Sequence, residues 1–282
     1  MAVQWVHLRA DQVLVATEQG AWLQPPAFGL LPFAGPMPEG LPATRTTMSN
    51  LLDGAIVAAE RAAGASAPPP MTAARWAWDL VTQWYCAHHS VALLVEAVEC
   101  FEQLGRSDLI SFARHRLEEE RGHDQFPLRD LRALGYDAEA LAHEVGPAPR
   151  AIALIDYARA SVRGEHPVEF LGYLHSQERH VLRVTPSWFA ELRATLGGVQ
   201  ADSGLRAHAT ELDVKHVEET VDFFICLPAG DRTRIALACY RTTLVRNTQP
   251  AAPDPSDTEL ASRLSAFSDG SANEEISSAR ST

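Results

Sequence analysis

The sequence predicts an all-α protein, with one helical domain between two flanking regions of different character. Apolar residues recur at helical spacing from residue 71 to residue 247. Residues 1–70 combine short alternating stretches with prolines, and residues 248–282 are rich in Ser, Ala, Asp and Pro. We therefore predict an N-terminal arm, a helical domain over 71–247 and a disordered tail. The tail has too few apolar residues to offset the entropy of ordering.

The N-terminal arm contains three kinds of local pattern. VQWVHL and QVLVATEQGAWL alternate in a way that suits two short strands around a turn. The prolines of PPAFGLLPFAGPMPEGLP exclude a helix or a central strand there. A helix is expected around MSNLLDGAIVAAERAAG, ending at Gly64 before the prolines of SAPPP. We interpret residues 1–70 as a wrapping arm or linker rather than a catalytic domain.

The helical domain divides at its glycines and prolines. A long helix, or two in line, covers about 72–104 and stops at Gly105. The next begins at Ser107 and stops at Gly135, with a break expected near Phe126 because Pro127 interrupts the helical hydrogen bonds. Further helices are predicted over 149–163, 168–182, 186–197, 205–226 and 231–246.

Composition excludes several classes of function. The formal net charge is −12, from 36 acidic and 24 basic side chains, which would repel nucleic acid. No apolar run reaches the ~18 residues of a membrane span, and MAVQWVHLRADQ lacks the pattern of a secretory signal. The cysteines form no CxxC pair and no disulfide framework, which favours a reducing cytoplasm. They are Cys86, Cys100, Cys226 and Cys239.

Carboxylates and histidines occur at ligand spacing in the helical domain. Glu120 and His123 lie three residues apart in EEERGHD, as do Asp213 and His216 in ELDVKH, and Glu178 lies on another helix. Residues three apart on an α-helix share one side. Two carboxylate-x-x-His pairs, with carboxylates from other helices, are what a di-iron or di-manganese site in a helix bundle needs. The sequence therefore predicts a metal centre between the helices.

Each feature taken alone also has a plain structural explanation. Glu118–Glu120 is a charge run, which usually marks a solvated helix face, and a lone Asp-x-x-His pair occurs by chance. Core or surface positions are the commoner role of the aromatic and histidine residues that might line a cavity, namely Tyr85, His88, His89 and Tyr173. The metal prediction depends on the occurrence of both pairs on amphipathic helices of one domain.

Three segments resemble the haem-oxygenase-like di-iron oxidases and oxygenases. Their second-helix signature is similar to HRLEEERGHDQFPLRDLRALGYD of this sequence. The segment that leads to a metal-binding glutamate in the family is similar to HPVEFLGYLHSQERHV, and the family's last ligand helix is similar to AHATELDVKHVEET. The resemblance covers about residues 80–245 and implies a haem-oxygenase-like bundle of about seven helices. By position it implies five metal ligands: Glu120, His123, Glu178, Asp213 and His216.

The sixth ligand departs from the family pattern. That pattern places a histidine at position 209, which here is Ala209, while His208 comes one residue earlier. On a regular α-helix His208 would point ~140° away from Asp213. A π-bulge between residues 208 and 213 would bring His208 into register as a ligand. Without it, Glu96 or Glu99 of the first long helix would complete the site.

The resemblance implies a non-haem di-iron oxidase or oxygenase. Such an enzyme binds Fe(II), about two per chain, and uses dioxygen to oxidise a small substrate derived from an amino acid or a carboxylic acid, in a biosynthetic pathway. Three alternatives stay open: a cofactor-independent enzyme of the thiaminase-II-like or quinone-cofactor-synthesis kind, a ferritin-like di-iron protein, and a non-catalytic protein whose arm makes a homodimer contact. The expected partners are the substrate and dioxygen, without nucleic acid or membrane.

Overall fold

The computed structural model describes residues 2–25, 33–64, 69–248 and 254–268. Its strands are β1 (Gln4–Arg9), β2 (Gln12–Thr17) and β3 (Gly20–Gln24). Its α-helices are α1 (Arg45–Ala63), α2 (Ala73–Gln103), α3 (Ser107–Glu120), α4 (Gln125–Ala133), α5 (Ala138–Glu144), α6 (Pro149–Arg163), α7 (Glu169–Val181), α8 (Pro186–Thr195), α9 (Ser203–Ala207), α10 (Asp213–Phe224), α11 (Ala229–Asn247) and α12 (Asp257–Ser265). A π-helix over His208–Leu212 joins α9 to α10.

The predicted all-α class is confirmed, with more helices than the seven expected. The segment predicted as one helix over 205–226 is divided into α9, the π-helix and α10. Helix α5 went unpredicted because seven residues are too few for an apolar periodicity to be distinguished from chance. Within the described ranges, no helix combines the length and the apolar character that a membrane crossing requires.

The N-terminal region, interpreted from the sequence as a wrapping arm or linker, packs into the main core. The strands form an antiparallel sheet in the order β1-β2-β3, and the second alternating stretch supplies two strands rather than one. Val6 and Leu14 are buried on the sheet face against α1, and Leu51 and Leu52 of α1 are fully buried in the same cluster. Helix α1 in turn packs along α11. Apolar residues on both faces of β2 require cover on both sides, which a loose arm could not provide.

The interruption predicted near Phe126 lies slightly earlier in the chain. Helix α3 ends at Glu120, and α4 begins at Gln125 after a turn that contains Gly122 at φ +85°. A left-handed φ suits glycine, which has no Cβ to clash. Pro127 lies in the first turn of α4, where a missing N–H leaves no helical hydrogen bond unmade.

Helix α7 lies at the centre of the bundle because Gly172 lets it approach α11 closely. A Cβ at position 172 would lie 2.4 Å from the carbonyl oxygen of Ile235. One turn further along, the hydroxyl oxygens of Ser176 and Thr243 are 2.9 Å apart and connect the same two helices. The backbone that carries Glu178 is therefore held firmly in place.

The tail over 248–282 was predicted to be disordered, and part of it is helical instead. Ser256 and Glu259 form a capping box at the start of α12, while Leu260 and Leu264 are buried in a cluster with residues of α2. Arg75 of α2 lies 2.5 Å from Asp257. Two leucines spaced four apart give this short segment an apolar face that the overall polar composition concealed. Residues 249–253 and 269–282 lie outside the described residues.

Candidate metal centre

Glu120 and His123 form a hydrogen-bonded pair, but not on one helix as predicted. Glu120 is the last residue of α3, and His123 lies in the following turn. The His123 backbone N–H donates to the Glu120 carbonyl at 3.2 Å, and His123 Nδ1 lies 3.0 Å from Glu120 Oε2. The turn at Gly122 thus replaces the helical geometry and still brings the two side chains together.

Glu178 and His216 meet Glu120 from two other helices. One ligand-capable atom of each of these three residues lies within 4.8 Å of the others. Glu178, on α7, is 7% exposed and His216, on α10, is 2% exposed. Glu178 Oε1 lies 3.9 Å from His216 Nδ1. Glu178 Oε2 is buried and accepts no hydrogen bond from the described part of the chain. Two carboxylates and an imidazole in one interior space form a donor set suited to a divalent first-row metal ion.

The π-helix brings His208 to the same place. The rings of His208 and His123 pack edge to face, with centroids 4.8 Å apart. Helix α9 approaches α4 so closely that a Cβ on Gly204 would lie 2.5 Å from Cβ of Phe126. The Phe126 ring then contacts both imidazoles, at 5.3 Å from His123 and 5.9 Å from His208. A π-helix is therefore present between residues 208 and 213, at the place where a bulge would bring His208 into register.

Asp213 is the predicted ligand that follows the π-helix. Its backbone begins α10 directly after the π-helix, three residues before His216. Its side chain is outside the described atoms, so its role stays a prediction. The remaining five predicted ligands converge, and they are Glu120, His123, Glu178, His208 and His216.

The alternative ligands of the first long helix are located elsewhere. Glu96 of α2 is paired with Arg163 of α6 through two contacts of 2.8 and 2.9 Å, and Glu99 is exposed. Because a π-helix is present between residues 208 and 213, the condition under which Glu96 or Glu99 was expected to complete the site does not arise.

Three of the aromatic and histidine candidates lie on α2, and the fourth, Tyr173, lies on α7. The ring of His88 stacks on Trp84 at 5.3 Å, and that of Tyr85 packs edge to face against His89 at 4.3 Å. Tyr173 is fully buried, and its hydroxyl lies 3.1 Å from Ser90 Oγ. These contacts are those of packed aromatic residues, which was their plain structural interpretation.

An arginine that the sequence analysis did not single out lies among the carboxylates. Arg116 of α3 is 2% exposed. Its guanidinium nitrogens form an ion pair with Glu178 and lie 3.0 Å from Glu119 and 3.7 Å from Glu120. The sequence contains one indication that Arg116 lies near the site: it precedes Glu120 by four residues, and residues four apart share one face of a helix. Burial was not predictable, since most arginines at such a spacing are solvated.

Electrostatics keep the carboxylate of Glu120 ionised. Burial raises its pKa, but the hydrogen bond and the charge of His123, with Arg116 and His208, outweigh burial. The net pKa of Glu120 is therefore below its usual value. The pKa of Glu119 is also below its usual value: burial raises it, but the charges of Arg116 and His216 are the chief causes that lower it. Anionic carboxylates are the form that binds a cation.

A second group of potential ligands lies beside the first and is more exposed. It consists of His115, Glu119 and Glu219. Lys215 Nζ lies 3.3 Å from Glu119 and 3.4 Å from Glu219, so both carboxylates already have a cationic neighbour. Its exposure and this pairing are typical of a solvated charge network rather than a metal site.

Comparison with known proteins identifies the fold. No protein-family model matches the chain, and no curated protein matches it. Among solved structures, a domain of unknown function with a heme oxygenase-like fold from Shewanella denitrificans matches with a TM-score of 0.55 and 20% identity. The match covers 72% of this chain and 84% of that one. The chain therefore has a haem-oxygenase-like fold, as the resemblance implied, and the ferritin-like alternative is set aside.

Proposed function

We propose that this protein is a non-haem iron oxidase or oxygenase that holds about two Fe(II) per chain and uses dioxygen to oxidise a small organic substrate. The observation that carries the proposal is the convergence of three helices and the π-helix on one site. They contribute two carboxylates, from Glu120 and Glu178, and three imidazoles, from His123, His208 and His216. Asp213 would add a third carboxylate.

The donor set fits the metal in number and in charge. The negative charges of three carboxylates nearly balance the positive charges of two divalent ions, and neutral imidazoles are suitable ligands for first-row transition metals. The buried Oε2 of Glu178, which accepts no hydrogen bond from the described residues, leaves a lone pair for a metal ion. When bound, Fe(II) would supply the activation of dioxygen, which protein side chains alone do not provide.

The protein's own residues would bind, orient and shield the reactants. Glu178 and His216 form the buried end of the site, while the Glu120 and His123 side chains are 19% and 13% exposed and mark its accessible end. Beyond His216, α10 carries buried Val221 and Phe224. An apolar surround of this kind limits the access of water to a reactive centre. A substrate derived from an amino acid or a carboxylic acid is part of the proposal, as the sequence resemblance implied.

Anaerobic titration with Fe(II), followed by oxygen-consumption measurements with candidate substrates, tests the proposal. We expect about two Fe(II) per chain. His123→Ala should abolish oxygen consumption, because it removes a ligand at the accessible end. His166→Ala is the matched control, since His166 lies 3.6 Å from Glu165 outside the site and should behave as wild type.

A second candidate is a cofactor-independent enzyme that uses the carboxylates as acid–base groups. Arg116 favours it, because a buried cation among Glu119, Glu120 and Glu178 stabilises carboxylates without a metal. An Fe(II) stoichiometry near zero, with activity retained in the presence of a chelator, would establish this candidate in place of the first.

A further inference from the structure

Arg116 is paired with the carboxylate of Glu178, to which a metal ion would also bind. Glu178 Oε1 is the atom that pairs with Arg116, and it is also the Glu178 oxygen that lies 3.9 Å from His216 Nδ1. A divalent ion bound to that oxygen would therefore lie beside the guanidinium. In an interior of low dielectric, the positive charges of the ion and of the guanidinium would repel each other strongly, because both would contact one carboxylate.

With Arg116 in place, the charge balance favours one metal ion over two. With Asp213 as a ligand, as proposed, Glu120, Glu178 and Asp213 would carry three negative charges, which one divalent ion and the guanidinium of Arg116 would neutralise. A second divalent ion would leave two positive charges in excess, at a site where Glu119 is already shared with Lys215. An uncompensated charge is costly in a buried site.

His175 is a buried acceptor, unpartnered among the described residues, that lies close enough to Arg116 for the arginine's charge to affect its pKa. It lies on α7, three residues before Glu178, and is 1% exposed. Its Nδ1 is buried and has no hydrogen-bond partner in the described ranges. Burial, with the charges of Arg179 and Arg116, lowers the pKa of His175 to about 3, so the imidazole is neutral. In the tautomer protonated on Nε2, Nδ1 can accept a hydrogen bond from a guanidinium.

We propose that Arg116 controls the occupancy of the second metal position. One divalent ion binds with Arg116 in place, and the second binds only when Arg116 leaves Glu178 for His175. Arg116 is thus a positioning residue that makes the two ions bind in sequence, the second more weakly. This inference rests on the proposed function, because it requires that the site bind metal.

Calorimetric titration of the full chain with Mn(II) tests the inference without dioxygen chemistry. The wild-type protein should bind two ions in separate steps, the second at least about tenfold more weakly. In Arg116→Gln the second step should tighten by about tenfold or more, with little change in the first. The matched control is Arg114→Gln, an exposed arginine of the same helix that pairs with Glu102, and it should titrate as wild type.

His175→Leu provides an independent measurement that leaves the carboxylates and Arg116 intact. It removes the acceptor for the displaced guanidinium, so the second Mn(II) should bind about tenfold more weakly than in wild type. In the Arg116→Gln background the same substitution should have no effect, because no guanidinium needs an acceptor. This measurement still tests the inference if Arg116→Gln fails to fold.

The outcomes separate this inference from the proposed function. Two ions that bind wild type with equal affinity, unchanged by Arg116→Gln or by His175→Leu, would overturn the role of Arg116 and leave a two-metal enzyme standing. Absence of Mn(II) and Fe(II) binding in wild type and in every variant would overturn both.

Discussion

The imidazole of His208 meets that of His123 edge to face, with ring centroids 4.8 Å apart and planes at 90°. An uninterrupted α-helix would rotate His208 ~140° away from Asp213. The π-helix over His208–Leu212 removes that difference, because its hydrogen bonds join residues five apart instead of four. A local irregularity of the backbone therefore determines whether this segment brings one imidazole or two to the proposed metal site.

This relationship predicts the effect of His208→Ala. We expect the variant to bind about one Fe(II) instead of about two, since one ion loses an imidazole while the ligands of the other remain. Anaerobic iron titration with colorimetric quantification measures the stoichiometry, and His166→Ala serves as control. If His208→Ala retained both ions with unchanged affinity, His208 would be a bystander.

Gly204 holds the π-helix region against α4, which leads to a second prediction. In Gly204→Ala the new Cβ would lie 2.5 Å from Cβ of Phe126, so α9 must move away. Overpacking of this kind costs about 1–3 kcal/mol in the free energy of unfolding, and here it should also reduce iron occupancy. Urea unfolding and iron titration measure the two effects. Gly146→Ala is the control, because a Cβ there meets no atom within 4 Å.

Acid should destabilise the protein partly through His175. Its pKa is about 3 in the folded state, against ~6.5 in an unfolded chain. Above pH ~6.5 neither state binds the proton. As the pH falls from ~6.5 towards ~3 the unfolded state takes it up first, so the free energy of unfolding decreases by about 1.4 kcal/mol per pH unit at most.

The contribution of His175 can be isolated by comparing His175→Leu with wild type. Urea unfolding between about pH 7.5 and about pH 5 should show a shallower loss of stability in the variant, since leucine does not titrate. Other groups, Glu120 among them, contribute acid sensitivity to both proteins and cancel in the comparison. Equal slopes for the two proteins would mean that His175 takes up its proton over the same pH range in the folded and unfolded states, which contradicts a lowered pKa.

Helix α12 should contribute to stability through its buried leucines. Leu260→Ala removes a fully buried side chain that packs in one cluster with residues of α2, and we expect a loss of about 2–5 kcal/mol. Leu104→Ala, at a position that is 56% exposed, should change the free energy of unfolding by about 0.5 kcal/mol or less. Thermal and urea unfolding would measure both. A negligible effect of Leu260→Ala would show that α12 is not part of the stable fold.

The sequence by itself determined the helical class and most helix positions. Apolar periodicity is a local property, so α1, α2, α6, α7 and α11 begin and end close to where the pattern and its caps placed them. The same local information, with the family resemblance, named the ligand candidates. The one-residue displacement of His208 indicated a π-bulge as one way to bring that residue into register.

Only the tertiary structure decided which of these side chains meet and what lies between them. Three features depend on contacts between residues that are distant in sequence. They are the burial of Arg116 among carboxylates from α3 and α7, the pairing of Glu96 with Arg163, and the packing of α1 and α12 into the bundle. Composition and residue spacing describe only one segment of the chain at a time. The environment of a charged side chain depends on the other segments that surround it, and these become known only when the chain has folded.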